Sequence, residues 1–178
     1  NLSRELLVRA AKIKGAVSPT AVDATAGLGQ DSLLLAAAGF TVTMFESDPV
    51  IAALLQDALD RAATDPRLEG LVARMTLVRA DSIAALPMIS PAPDVVYLDP
   101  MFPERTKSAA VKKKFQLLHH LESPCEDQEE LLRAALLAHP RKVVVKRPVK
   151  GPYLAGVKPS HTVAGKAVRY DCIVPPRP

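Results

Sequence analysis

The nine residues Asp23-Ala24-Thr25-Ala26-Gly27-Leu28-Gly29-Gln30-Asp31 constrain this chain more than any other stretch. They follow the apolar pair Ala21-Val22 and precede the alanine- and leucine-rich run Ser32 to Ala38. The pattern reads as strand, tight turn, helix. Gly27 and Gly29 reach backbone angles that side chains forbid and let the chain approach a ligand closely. The turn opens onto a helix N-terminus, whose unpaired N–H groups favour negative charge. Asp23, at the strand end, is expected to accept a hydrogen bond from a ligand amine. Three readings stay open on this stretch alone. A dinucleotide site of the G-x-G-x-x-G type is one, but Gly27-x-Gly29-x-x-Ser32 lacks the third glycine. An S-adenosylmethionine site, with an acid ahead of the glycines and no pyrophosphate, fits Asp23-x-x-x-Gly27-x-Gly29 better. A plain strand-to-helix turn is the third.

Along the chain, strands and helices alternate. Ser3 to Lys14 spaces Leu6, Leu7, Ala10, Ala11 and Ile13 at helical intervals, with Ser3 as N-cap and Gly15 as the stop. Strands are predicted over 20–25, 41–45, 75–80, 95–98 and 143–145, and a closing pair over 161–164 and 169–174. Helices are predicted over 32–38, 50–63, 107–121 and 126–138, with a short turn at 83–86. Pro49 is well placed for the start of the helix over 50–63. This alternation implies a parallel sheet with crossover helices, here with a C-terminal antiparallel pair. Four strands in succession end in acids, Asp23, Glu46, Asp81 and Asp99. In such sheets ligands bind beyond the carboxyl ends of the strands, so the four acids form a ligand rim.

The chain's 178 residues, 48% hydrophobic and 24% charged, suit a single domain over 1–178 with a real core. No apolar run approaches the roughly 18 residues of a spanning helix, and no secretory leader is visible. The first residue is Asn1, and a native N-terminal segment is expected to be missing. Cys125 and Cys172 lack metal-ligand spacing and read as free thiols in a reducing cytoplasm. His119, His120, His139 and His161 show no ligand spacing either, so no metal is expected. Charge is uneven: residues 1–100 hold 8 Lys+Arg and 12 Asp+Glu, net −4, and residues 101–178 hold 15 and 7, net +8. A basic half beside a ligand-binding half suggests a polyanionic partner.

Each acid has a chemistry open to it. Glu46, 19 positions after Gly27, can accept from two ribose hydroxyls of either cofactor. Asp81-Ser82 can meet an adenine amine and ring, or Asp81 can simply cap the following turn. Asp99-Pro100-Met101-Phe102-Pro103 discriminates between the readings. A carboxylate, the Pro100 carbonyl and the Phe102 ring can together hold a planar base that bears an exocyclic amine. The acceptors take the amine hydrogens and the ring stacks on the base. Basic residues follow at Arg105, Lys107, Lys112 and Lys113, and again at Lys146, Arg147 and Lys150. The topology would carry both groups to the rim of Asp99, where they are expected to contact phosphates.

Four segments, taken in order, resemble a known family: Asp23 to Asp31, Tyr97 to Pro103, Lys107-Ser108-Ala109 with Val111-Lys112-Lys113, and Val143 to Pro148. The chain is similar to bacterial small-subunit (16S) ribosomal RNA guanine-N2 methyltransferases over nearly its whole length. The resemblance implies an α/β, class I S-adenosylmethionine-dependent methyltransferase fold of Rossmann-like type. It implies donor contacts at Gln30, Asp31, Glu46, Ser47, Asp81, Ser82 and Asp99, beside Asp23, Gly27 and Gly29. It implies a guanine amine of 16S rRNA or the 30S subunit as acceptor, with Asp99, Pro100 and Phe102 at the reacting base. Alternatives are an adenine-N6 or other nucleic-acid amine methyltransferase, an NAD-dependent oxidoreductase and a non-catalytic RNA-binding factor.

Overall fold

The computed structural model describes residues 2–100 and 128–176. The expected helix over 107–121, and Met101, Phe102, Arg105, Lys107, Lys112, Lys113, His119, His120 and Cys125, lie outside them. Seven strands form one sheet: β1 (Thr20–Asp23), β2 (Thr41–Glu46), β3 (Met75–Arg79), β4 (Val95–Leu98), β5 (Lys142–Pro148), β6 (His161–Ala164) and β7 (Val168–Ile173). Their spatial order is β3-β2-β1-β4-β5-β7-β6. Strands β1 to β5 are parallel, and β7 runs antiparallel between β5 and β6. The α/β class, the mostly parallel sheet and the antiparallel closing pair all follow the expectation.

The central strands are buried on both faces, so they are apolar without alternation. All four residues of β4 are buried, and successive side chains serve opposite layers. Val95 and Tyr97 join a core with Leu7, Leu35, Val42, Met44, Leu55 and Cys172. That layer is covered by α1 (Leu6–Ala11), α2 (Gln30–Ala37) and α3 (Pro49–Ala63). Val96 and Leu98 join the other core, with Phe45, Leu86, Leu131, Leu132, Val143 and Val145. There α5 (Ser82–Ala85) and α6 (Gln128–Leu137) cover the sheet. Each fully buried side chain of this size contributes about 1.5–3 kcal/mol.

Chain order reverses between β1 and β4, which places the sheet's switch point there. The opposite ends of the same two strands are locked by Asp94, whose Oδ2 accepts from the Thr20 N–H at 2.9 Å. The Asp94 N–H returns a bond to Thr20 Oγ1 at 3.1 Å.

Several boundaries differ from expectation. Ser3 sits in a 3-10 turn, Leu2–Arg4, and α1 begins only at Leu6, with Glu5 at the N-cap position. The helix also stops at Ala11, well before Gly15. Its end is held by Lys142 of β5, whose Nζ donates to the Ala10 and Lys12 carbonyls at 2.8 and 2.9 Å. A lysine on these carbonyls satisfies groups that a helix end leaves unpaired. Pro49 occupies the first turn of α3, as expected, and Asp48 adds a cap, its Oδ1 accepting from the Val50 and Ile51 N–H groups at 2.8 and 3.0 Å. A four-residue helix, α4 (Glu69–Val72), was not anticipated.

Candidate active site

The glycine turn is built as its residues require. Gly27 and Gly29 have φ of 52° and 78°, in the left-handed region where a side chain is strained. Gly29 is the residue from which α2 starts. The turn is fastened from below by Asp23. Its Oδ2 accepts from Ser32 Oγ at 2.5 Å and its Oδ1 from the Thr25 N–H at 3.0 Å. Asp23 is only 1% exposed. Burial pushes its carboxyl up to about 7; the Ser32 and Thr25 bonds pull against this, and the Asp31 and Asp99 charges add to it. The structure therefore places Asp23 beneath the turn, holding it, rather than at its mouth facing a ligand amine.

Glu46 braces the turn from β2. Its Oε2 accepts from the Gly27 N–H at 3.0 Å and its Oε1 from the Asp48 N–H at 2.9 Å. A carboxylate offers about four acceptor positions, so both oxygens keep capacity for hydroxyl donors. Ser47 and Gln30 are exposed at the same edge. Asp81 is exposed and caps α5 through the Ile83 N–H at 3.0 Å, the simpler of its two readings. Ser82 Oγ donates to the Ala24 carbonyl and so ties the third strand end to the turn.

Asp99 lies one residue past β4, at the switch point. Leu98 pairs with Val145, and the same register brings Asp99 beside Lys146 on β5. Lys146 Nζ donates to Asp99 Oδ2 and to Asp31 Oδ2, each at 3.0 Å. Tyr97, two residues before Asp99 and therefore on the same face, donates its hydroxyl to Asp31 Oδ2 at 2.6 Å. Burial raises the Asp99 carboxyl above the usual range, against the pull of Lys146. Burial works against the charge of Lys146, but the two carboxylates overcome it and hold the ammonium charged well above its ordinary pKa. Burial and the nearby acids keep the Tyr97 hydroxyl protonated. Pro100, next to Asp99, is buried.

One basic residue does not sit where a phosphate contact would need it. Arg147 is 1% exposed and its Nε donates to the Pro152 carbonyl at 2.7 Å, which corrects the expectation. Alternation along β5 turns it to the face opposite Lys146. Lys146 itself is committed to the two acids. The segment after β5 is further fixed by a feature the sequence did not reveal. Arg169, on β7, pairs with Asp171 through two bonds of 2.9 and 3.1 Å. Its Nη1 also donates to the carbonyls of Pro148, Val149 and Gly151 at 2.7, 2.8 and 2.8 Å. Thr25 was likewise missed as a contributor, although it lies inside the glycine motif.

The rim thus assembles Asp31, Glu46 and Asp99 around a glycine turn, a set of acidic acceptors suited to a cationic, hydroxyl-bearing ligand. A groove of about 680 Å³ between α3 and β3 contains none of these acids and lies apart from the site. The SAM_MT family model, for SAM-dependent methyltransferases, matches residues 1–175. The chain belongs to this family. The methyltransferase is 48% identical over 176 residues to the ribosomal RNA small subunit methyltransferase J of Thioalkalivibrio sulfidiphilus, covering 98% of this chain and 69% of that protein. It is 45% identical over 170 residues to the protein of that name in Pseudomonas aeruginosa strain UCBPP-PA14, covering 95% and 65%. The chain thus spans about two thirds of the length of these relatives. A crystal structure of a SAM-dependent methyltransferase from Neisseria gonorrhoeae superposes with a TM-score of 0.75 at 38% identity, over 96% of this chain and 71% of that one. The rRNA methyltransferase aviRa from Streptomyces viridochromogenes, at 21% identity and a TM-score of 0.66 over 97% and 83%, shares the fold. S-adenosylmethionine is accordingly the cofactor of the methyltransferase, and the acidic rim fits its positive charge.

Proposed function

We propose that the methyltransferase modifies the exocyclic N2 amine of a guanosine in 16S rRNA, free or within the 30S subunit, in the cytoplasm. The reading is carried by Asp99, which stands at the switch point beside the glycine turn, 39% exposed and held by Lys146. Relatives named for ribosomal RNA methylation support it, as does the basic second half of the chain.

In this reading the backbone of Gly27 to Gly29, with Gln30, Asp31, Glu46, Ser47, Asp81 and Ser82, holds the donor, and Asp23 keeps their turn in shape. When bound, the donor supplies a methyl group on a positively charged sulfur that departs with the bonding pair as a neutral thioether. Asp99 accepts a hydrogen bond from the amine and turns the nitrogen lone pair toward the methyl group. It takes the proton that the nitrogen sheds as the new C–N bond forms; the carboxyl's raised pKa makes it a better proton acceptor. The Pro100 carbonyl receives the second amine hydrogen, and Phe102 stacks on the base. Arg105, Lys107, Lys112 and Lys113 contact phosphates, which makes RNA affinity fall steeply with salt. Most of the rate enhancement then comes from positioning and fixed electrostatics.

The test is transfer of labelled methyl to unmodified 16S rRNA and to 30S particles, followed by nucleoside mass analysis. N2-methylguanosine is expected. N6-methyladenosine would replace the acceptor in this reading, and donor binding without any transfer would replace catalysis with a binding role.

A further inference from the structure

We propose that Lys146 is a positioning residue that joins the donor side of the site to its acceptor side, holding Asp31 and Asp99 through one ammonium. The proposal rests on the reading that Asp99 meets the acceptor amine. Lysine suits the task because its ammonium is compact and carries three donors. Two of them run to Asp31 Oδ2 and Asp99 Oδ2, both at 3.0 Å. Each carboxylate is thereby divided. The Oδ2 atoms face inward: Asp31 Oδ2 also takes the Tyr97 hydroxyl, and Asp99 Oδ2 takes Lys146. The Oδ1 atoms of both acids accept no hydrogen bond among the described residues, which leaves one oxygen of each for a ligand. The Asp99 backbone is fixed as well, through its N–H to Thr25 Oγ1 at 2.7 Å.

A lysine kept for phosphate would extend into solvent. The Lys146 side chain is 27% exposed and lies between two acids whose side chains are 24% and 39% exposed. The charged and titratable groups around this cluster come from every strand near it. They are Asp23 on β1, Asp31 on α2, Tyr97 and Asp99 at β4, Arg147 on β5 and Tyr170 on β7. Among those bearing on Asp99, Lys146 is the first cause that opposes the upward push of burial. Without it, Asp99 takes up its proton at higher pH, and Asp31 and Asp99 lose their shared counter-charge.

Lys146→Met, Lys146→Gln and Lys146→Arg separate the possibilities. Calorimetric titration at about pH 8 compares S-adenosylmethionine with the uncharged-sulfur product S-adenosylhomocysteine. With the lysine charge gone, preference for the cationic donor over the product should rise about threefold or more. This readout involves no acceptor, so it survives a failure of the guanine reading. In methyl transfer, the acid limb of kcat should move up by about one pH unit, about a tenfold loss on the acid side that fades on the alkaline side. Lys146→Arg should restore the limb. Lys146→Gln, polar and near in length, keeps the test valid if the methionine variant fails to fold. An unchanged donor-to-product preference together with an unmoved limb would overturn the proposal. So would a loss confined to RNA affinity with a shallower salt dependence, since that marks a phosphate contact.

Discussion

The backbone N–H of Asp99 donates to Thr25 Oγ1 at 2.7 Å. One hydroxyl of the glycine motif thereby sets the position of the acid that ends the fourth strand. The Thr25 N–H in turn donates to Asp23, so the turn, the buried acid and the half-buried acid form one chain of bonds.

Thr25→Val keeps the side-chain shape and removes this acceptor. An N–H left unsatisfied costs about 1–3 kcal/mol. The variant should lose that much stability in urea unfolding, and its kcat should fall more than its donor affinity. Equal losses in kcat and donor affinity would argue against a bond whose purpose is to place Asp99.

Asp99→Ala should abolish methyl transfer, with a fall of about 100-fold or more for a group that both orients and accepts a proton, while the melting temperature changes little. Asp99→Asn keeps the size and still accepts a hydrogen bond, but it takes up no proton; it should retain donor binding and lose turnover. Turnover near that of the unaltered chain in either variant would remove Asp99 from the chemistry.

Asp23 makes stability depend on pH. Its carboxyl rises from 3.8 to about 7 in the fold. The folded chain therefore holds the proton more tightly than the unfolded one. The stability this gives is complete below about pH 4 and is lost as pH rises through about 7. Asp23→Asn is neutral throughout, so its unfolding free energy should gain on that of the unaltered chain across this window, by roughly 2–4 kcal/mol. A difference between the two that stays constant with pH would count against a buried, proton-holding Asp23.

Arg169→Ala should destabilise by about 3–5 kcal/mol, because it strands the buried Asp171 carboxylate and three carbonyls. Arg169→Lys should recover little, since an ammonium does not reproduce the forked pair. Urea unfolding of both variants measures this. Recovery of most of the loss in the lysine variant would show that charge alone matters there.

Much of the fold was legible because it rests on local signals. Val95-Val96-Tyr97-Leu98 is apolar throughout and bounded by Asp94 and Asp99, and its strand has those limits. Pro49 announced α3 through a backbone angle that needs no distant partner, although the Asp48 cap beside it went unread. What stayed hidden depends on distant pairing. The early end of α1 follows from Lys142 arriving on its carbonyls from far along the chain. The roles of Lys146 and Arg147 follow from register: adjacent residues of one strand point to opposite faces, one into the acid cluster and one into the fold. In the sequence both looked like members of a basic run. The pair Arg169 and Asp171 had the spacing for one face of a strand, but nothing local indicated burial.

Strand β7 lies between β5 and β6, although both are synthesised before it. Until residues 168–173 leave the ribosome, the strand that bears Lys146 has an open side, a ready template for wrong pairing. The cross-link that Lys146 makes between the two acids lies beside that open side of β5. A copy stalled before residue 168 would therefore present a sticky edge along β5.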